Sequence, residues 1–345
     1  MGVNLKDLVP KTVVTLENMS GKSIAIDAYN ALYQFLAIIR QPDGTPLKDT
    51  SGKITSHLSG LFYRTVNLTE MGIKAVYVFD GAPPTLKEVE IKRRMQIKEE
   101  ATIKYEKALA EGKIEEARTY AQMTSKLKDY MAEDSKRLLT LMGIPWIQAP
   151  SEGEAQAAHL ARKNHTNFCA SQDYDSLLFG APILLRNVTI SGRRKLPGKP
   201  VYIDVVPEVV ELEKTLKTLE ITHEQLVDIG ILIGTDYSPD GVKGIGPKTA
   251  LKLIKEHGTL EKVLETTLKS VKFPVDPQKI REIFLHPKVR EDYKLEWREP
   301  NIEGVVNFLC REKDFAEDRV RKALEKMSAG IRETKAKTTL EKWFS

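Results

Sequence analysis

Three short apolar runs in this chain end in an aspartate: "KSIAID" (22–27), "KAVYVFD" (74–80) and "NFCASQD" (167–173). The first two are rich in β-branched or aromatic residues, the third carries Phe168, Cys169 and Ala170, and stretches of helical spacing lie between them, including 28–40, 55–70 and 152–163. Continuous apolar runs alternating with helices describe a parallel sheet covered on both faces. In such sheets ligands gather beyond the carboxyl ends of the strands. Asp27, Asp80 and Asp173 are therefore expected to share one neighbourhood. A lone aspartate at a strand end is usually a turn former or a helix cap. Three of them, joined by Glu152 and Glu154 in "SEGEAQAA" and by Asp175 in "SQDYDSLLFG", are too many for that explanation.

Buried carboxylates repel one another and lose hydration unless a cation holds them. Asp236, at the end of a further apolar helix, brings the set to seven, every one an oxygen donor. All-oxygen ligation selects a hard cation, Mg²⁺ or Mn²⁺, over zinc or copper. Seven acids exceed what one Mg²⁺ uses, so two ions about 4 Å apart are expected. Two such ions beside basic residues suit phosphodiester hydrolysis, with no serine or cysteine nucleophile required. The only cysteines, Cys169 and Cys310, are too few and too scattered for a sulfur-held metal or a disulfide framework, and Cys169 reads as core.

Residues 84–142 have a different texture. "PPTLKEVEIKRRMQIKEEATIKYEKAL" starts with helix-opening prolines and becomes almost wholly charged. At 100° per residue, Lys87, Arg94 and Lys98 share one stripe, whereas Ile91, Met95, Ile97 and Ile103 make no coherent apolar face. Such a helix projects from a core or bridges over something. Because it begins four residues after Asp80, it is expected to rise over the acids, with Lys87 and Arg94 available to neutralise a phosphate. In "GVKGIGPKTALKLI", Gly244 and Gly246 precede Pro247 at a helix start, where free N–H groups and the helix dipole suit a phosphate. A net charge of +5 accords with a polyanionic partner. The N-terminus lacks a signal-peptide apolar stretch and no run approaches the roughly 20 apolar residues of a membrane span, so an intracellular protein is expected. The final "KAKTTLEKWFS" sets Leu340, Trp343 and Phe344 at i, i+3 and i+4, an apolar anchor for a partner's pocket.

"SIAIDA", "VYVFDGAPP", "SEGEAQAA", "SQDYDSLLFG", "GTDY" and "GIGPKTA", in this order along the chain, resemble the structure-specific flap endonucleases, archaeal members above all. The likeness runs from Met1 to Ser345. It implies a PIN-like, mostly parallel sheet flanked by helices, a helical arch that admits a 5′ single strand, and a C-terminal helix–hairpin–helix type region. It implies two Mg²⁺ ions, replaceable by Mn²⁺, held by Asp27, Asp80, Glu152, Glu154, Asp173, Asp175 and Asp236. Lys87 and Arg94 take the scissile phosphate by the same likeness, and Tyr33 stacks on a base. Gly2, Arg40, Arg64, Gly234, Gly244, Gly246 and Lys248 match positions that touch DNA, as do Glu152 and Asp236, with K⁺ at the carbonyls of 244–248. The tail is similar to the box by which partners bind the sliding clamp, proliferating cell nuclear antigen, with Lys337 where a glutamine is expected.

The expected division is 1–83 and 143–219 for the two halves of the nuclease core, 84–142 for the arch, 220–330 for the helical DNA-binding region and 331–345 for the tail. The expected activity is Mg²⁺-dependent 5′ flap endonuclease and 5′–3′ exonuclease action in Okazaki fragment maturation and repair, by a monomer in an archaeal cytoplasm. Two alternatives stay open at this point: a non-catalytic DNA scaffold tethered to the clamp, and a related nuclease preferring bubbles or four-way junctions.

Overall fold

The computed structural model describes residues 2–41, 43–124, 126–189, 192–195, 202–269, 271 and 273–344; the side chains of 85, 89, 193–195, 202, 203, 335 and 337–344 fall outside it. Seven strands form the main sheet: β1 (Thr12–Val13), β2 (Ser23–Asp27), β3 (Lys74–Phe79), β4 (Trp146–Gln148), β5 (Phe168–Ala170), β6 (Ile183–Arg186) and, after the two-stranded β7 (Gly192–Lys195) and β8 (Tyr202–Val205), β9 (Glu208–Glu211). Their order is β1-β9-β6-β5-β2-β3-β4, parallel from β6 to β4, with β9 antiparallel to both β6 and β1. The three aspartate-terminated runs are β2, β3 and β5, adjacent at the centre of the sheet.

Side chains alternate across these strands as the pleat requires. Ala25, Val76, Val78, Ile147, Cys169, Leu184 and Val210 enter one apolar cluster. Ile24, Ile26, Ala75, Tyr77, Phe79, Ala170 and Leu185 enter the other. The helices, in chain order, begin with α1 (Ala28–Ile38), α2 (Ser56–Glu70), α3 (Glu88–Ala110), α4 (Ile114–Met123), α5 (Asp129–Leu141), α6 (Gly153–Arg162) and α7 (Asp175–Leu178). They continue with α8 (Leu212–Leu219), α9 (His223–Ile233), α10 (Pro247–His257), α11 (Leu260–Thr266), α12 (Pro277–Leu285), α13 (Ile302–Val306) and α14 (Glu317–Phe344). Helices α6, α7 and α9 to α12 pack on the first cluster, and α1, α2, α5, α13 and α14 on the second.

The insertion after β3 differs from its expected outline. Its projecting part is α3 and α4, folded back on each other through the buried alanines Ala101, Ala108, Ala117 and Ala121, while Met95, Ile97 and Ile103 stay exposed. α5 also lies within 84–142, yet Ala132, Leu138 and Leu139 are buried in the second cluster, so this helix belongs to the core. The region expected as a helical DNA-binding unit over 220–330 divides in the same way. After α12 the chain runs extended, Trp297 donating its indole N–H to the Ala75 carbonyl at 2.8 Å. α13 and α14 then return to the core, where a Cβ on Gly330 would stand 2.6 Å from the Thr69 carbonyl oxygen of α2. α14 continues without a break through the expected tail boundary at 331. Among the described residues, no helix is long and apolar enough to cross a membrane.

Candidate active site

β2 is flanked by β3 on one side and β5 on the other, so the chain direction across the sheet reverses beside it, and a crevice opens at the strands' carboxyl ends. Asp27 ends β2 and caps α1, accepting from the Asn30 backbone N–H at 3.0 Å. Asp80 follows β3 and accepts from the Gly153 backbone N–H at 2.5 Å. A Cβ at Gly153 would lie 2.6 Å from that carboxylate oxygen, so only glycine lets the two segments meet. The loop after β4 delivers Glu152 at the N-cap of α6 and Glu154 in its first turn. Asp173 follows β5 and Asp175 opens α7. Asp236 comes two residues after Gly234, which ends α9 at φ 110° with the Pro239 carbonyl oxygen 2.5 Å from where a Cβ would sit.

The structure brings all seven acids into one electrostatic cluster. Burial, with Asp80 and Asp173 close by, pushes the Asp27 carboxyl well above its ordinary value. Burial raises Asp80 to about 6, with the Glu152 and Asp236 charges adding to it and the Gly153 N–H opposing. Burial raises Asp175 to about 8, reinforced by Asp236 and Asp173. Glu154 is likewise raised by burial and by Asp175, Asp173 and Asp27, although Ser171 donates a hydrogen bond to it. The chain's beginning seals this side: Gly2 donates its N–H to Asp173 at 3.2 Å and Val3 donates to Asp175 at 2.6 Å.

Lys87 and Arg94 reach into this cluster from the base of the arch. Lys87 Nζ lies 2.8 Å from Glu152 and 2.9 Å from Asp236. Arg94 bridges Asp236 at 2.5 Å and Glu90 at 2.7 Å. Burial alone would lower the lysine, but Glu152 and Asp236 outweigh it and hold Lys87 well above its usual range. Asp236 shows the reciprocal effect: burial works to raise it, and Lys87 with Arg94 keeps it below the ordinary carboxylate range. Both cations were expected to face a phosphate; here they are ion-paired to the acids. Among the described residues no group of three or more His, Cys, Asp or Glu is closed into a ready-made metal cage. The acid side chains instead engage N–H donors, Ser171 and the two arch cations. The donor set still fits a hard dication, because it is all oxygen and largely buried, and burial holds Asp27, Asp80, Glu154 and Asp175 above their ordinary range.

The expected DNA-facing residues are spread around this centre. Tyr33 is partly exposed, with Lys98 Nζ 4.5 Å from its ring centroid. Arg40 donates to the carbonyls of Leu36 and Gly44, both at 2.9 Å, and Arg64 to that of Thr189 at 3.2 and 3.0 Å. Gly246 is the N-cap of α10 with Pro247 at its first position, and neither Gly244 nor Gly246 has an atom within 4 Å of a would-be Cβ. Lys248 stands exposed on the same turn. The expected clamp anchors Leu340, Trp343 and Phe344 have side chains outside the described residues. Sequence reasoning missed Asn30, Ser171 and Glu90, which touch the acids or the arch arginine; a polar residue in the first turn after a strand-end aspartate was the available signal for Asn30.

The XPG N-terminal domain family matches residues 1–101 and the XPG I-region family residues 143–236. The chain is 58% identical to flap endonuclease 1 of Staphylothermus marinus, covering all of both chains. It is 54% identical to that of Pyrococcus abyssi over all of this chain and 98% of the relative. The solved flap endonuclease-1 from Methanococcus jannaschii superposes with a TM-score of 0.76 at 43% identity, covering 96% of this chain and 99% of that one.

Proposed function

Because the chain belongs to the flap endonuclease family, with both XPG regions in place and the relatives matched end to end, and is a structure-specific DNA-cleaving hydrolase, we propose that it cuts 5′ flaps with two Mg²⁺ ions in Okazaki fragment maturation and repair. The observation that carries this reading is the convergence of seven acids at the carboxyl edge of the sheet, directly beneath Lys87 and Arg94. Family members are generally divalent-metal dependent. Asp27, Asp80, Glu152, Glu154, Asp173, Asp175 and Asp236 would hold the ions, and Mn²⁺ can replace Mg²⁺. When bound, such a pair supplies an activated water and stabilises the leaving oxygen.

The chain's own groups do the rest. Gly2, Val3, Gly153 and Ser171 donate to Asp173, Asp175, Asp80 and Glu154 and so fix where the acid oxygens point. Lys87 and Arg94 exchange Glu152 and Asp236 for the scissile phosphate and meet the negative charge that grows on it. α3 and α4 stand over the site and restrict it to a single strand. The N-terminus of α10, with Gly244, Gly246 and Lys248, grips the duplex backbone without reading bases, with K⁺ at the 244–248 carbonyls. Tyr33, Arg40, Arg64 and Gly234 complete the DNA contacts. Leu340, Trp343 and Phe344 dock the monomer on the sliding clamp in an archaeal cytoplasm, and 5′–3′ exonuclease action follows from the same site.

Cleavage of 5′-flap, bubble and nicked four-way substrates, with and without Mg²⁺, tests this. Efficient flap cleavage that requires the ion is the expected result. Preference for bubbles or four-way junctions, or cleavage that survives chelation, overturns it.

A further inference from the structure

Asn30 touches two of the acids at once: its backbone N–H donates to Asp27 at 3.0 Å and its Nδ2 donates to Asp173 Oδ2 at 3.1 Å. One turn along α1, Gln34 Nε2 donates to Asn30 Oδ1, and Thr189 Oγ1 donates to Gln34 Oε1. The Thr189 carbonyl in turn accepts from Arg64 Nε and Nη2 at 3.2 and 3.0 Å. We propose that Asn30, Gln34 and Thr189 are positioning residues, a one-way line of hydrogen-bond donors that orients the Asp173 carboxylate and ties it to the Arg64 guanidinium.

The direction of the line follows from counting protons. A hydroxyl has one, and Thr189 spends it on Gln34. The Gln34 amide must then present NH₂ to Asn30, which leaves the Asn30 NH₂ for Asp173. Turning any one amide over sets oxygen against oxygen, so each link fixes the next, and successive donors polarise one another. None of the three is charged, so they add nothing to neutralising the acids; what they supply is orientation. Asp173 Oδ1 is held by the Gly2 N–H on its other side. Together the two donors leave the carboxylate little freedom to rotate, and the Asn30 backbone keeps Asp27 in register with it. Arg64 is a family-matched DNA position, so a duplex phosphate engaging it would pull on the same line that ends at Asp173.

This inference rests on the divalent-ion reading of the site. Thr189→Val and Gln34→Met break the line without touching Asp173 or Arg64, and Thr189→Ser keeps the hydroxyl. For each, the Mg²⁺ concentration giving half of the melting-temperature increase is measured, and separately that giving half-maximal single-turnover flap cleavage. We expect both midpoints to rise about tenfold in Thr189→Val and Gln34→Met, about 1.4 kcal/mol, with the ion-free melting temperature unchanged and Thr189→Ser restored to the wild-type values. Midpoints that overlay the wild type in both broken variants overturn the proposal, as does a Thr189→Ser protein as impaired as Thr189→Val. Wild-type protein that neither cleaves flaps nor gains stability from Mg²⁺ refutes the underlying reading, a result distinct from the other two.

Discussion

Replacing Asp80 with asparagine should abolish cleavage and stabilise the ion-free fold. Burial, with Glu152 and Asp236 adding to it, lifts this carboxyl from an ordinary 3.8 to about 6, a gap worth about 3 kcal/mol at about 1.4 per pH unit. Unfolded, the group loses its proton near 3.8; folded, only near 6. Above pH 6 the fold therefore carries the full cost, between 6 and 4 the cost shrinks, and below 4 it is gone. Asparagine is neutral throughout and keeps an oxygen to accept from Gly153. At about 2.1 cal/mol/K per residue, the 345 residues give an unfolding entropy of about 0.7 kcal/mol/K. A gain of about 3 kcal/mol then raises Tm by about 4 °C. Thermal melts and urea titrations of wild type and Asp80→Asn in chelator at pH 7.5 and at pH 4 measure it. A variant no more stable at pH 7.5, or one whose advantage persists at pH 4, would refute the claim that burying an ionised Asp80 strains this cluster.

Mg²⁺ at about 100 times its dissociation constant should stabilise the wild type by about 2.7 kcal/mol, and calorimetric melts should show this increase absent in Asp80→Asn. Lys87→Ala should slow single-turnover flap cleavage by about 10²–10³ while flap affinity, read by fluorescence anisotropy, changes little; a loss confined to affinity reassigns the lysine to binding. Deleting 337–345 should leave cleavage of naked flaps intact and remove clamp binding, followed by surface plasmon resonance.

The centre of the fold was open to reading because its signals are local. β2, β3 and β5 are apolar at successive positions and lead into Asp27, Asp80 and Asp173, so a buried parallel sheet and a shared acidic edge followed from strand chemistry alone. The Gly246–Pro247 helix start was visible for the same reason. What stayed hidden depends on segments far apart in sequence. Met131, Ser135, Leu138 and Leu139 mark one buried face of α5, but they stand inside a charged stretch whose neighbours project outward. The return of α14 to α2 is recorded only in close packing such as Gly330 against Thr69. The alanine seam between α3 and α4 escapes a search for large apolar residues. Nothing in the spacing of Lys87 and Arg94 says that they ion-pair with Glu152 and Asp236 in the protein alone.

That last pairing makes the arch a built-in counterion. Lys87 occupies carboxylate oxygens of Glu152 and Asp236, so a dication held by the same oxygens would compete with it, each weakening the other by the same factor. Ion occupancy and the placement of α3 would then be two readings of one equilibrium. On that reading, a phosphodiester that drew the lysine outward would tighten ion binding as it arrived.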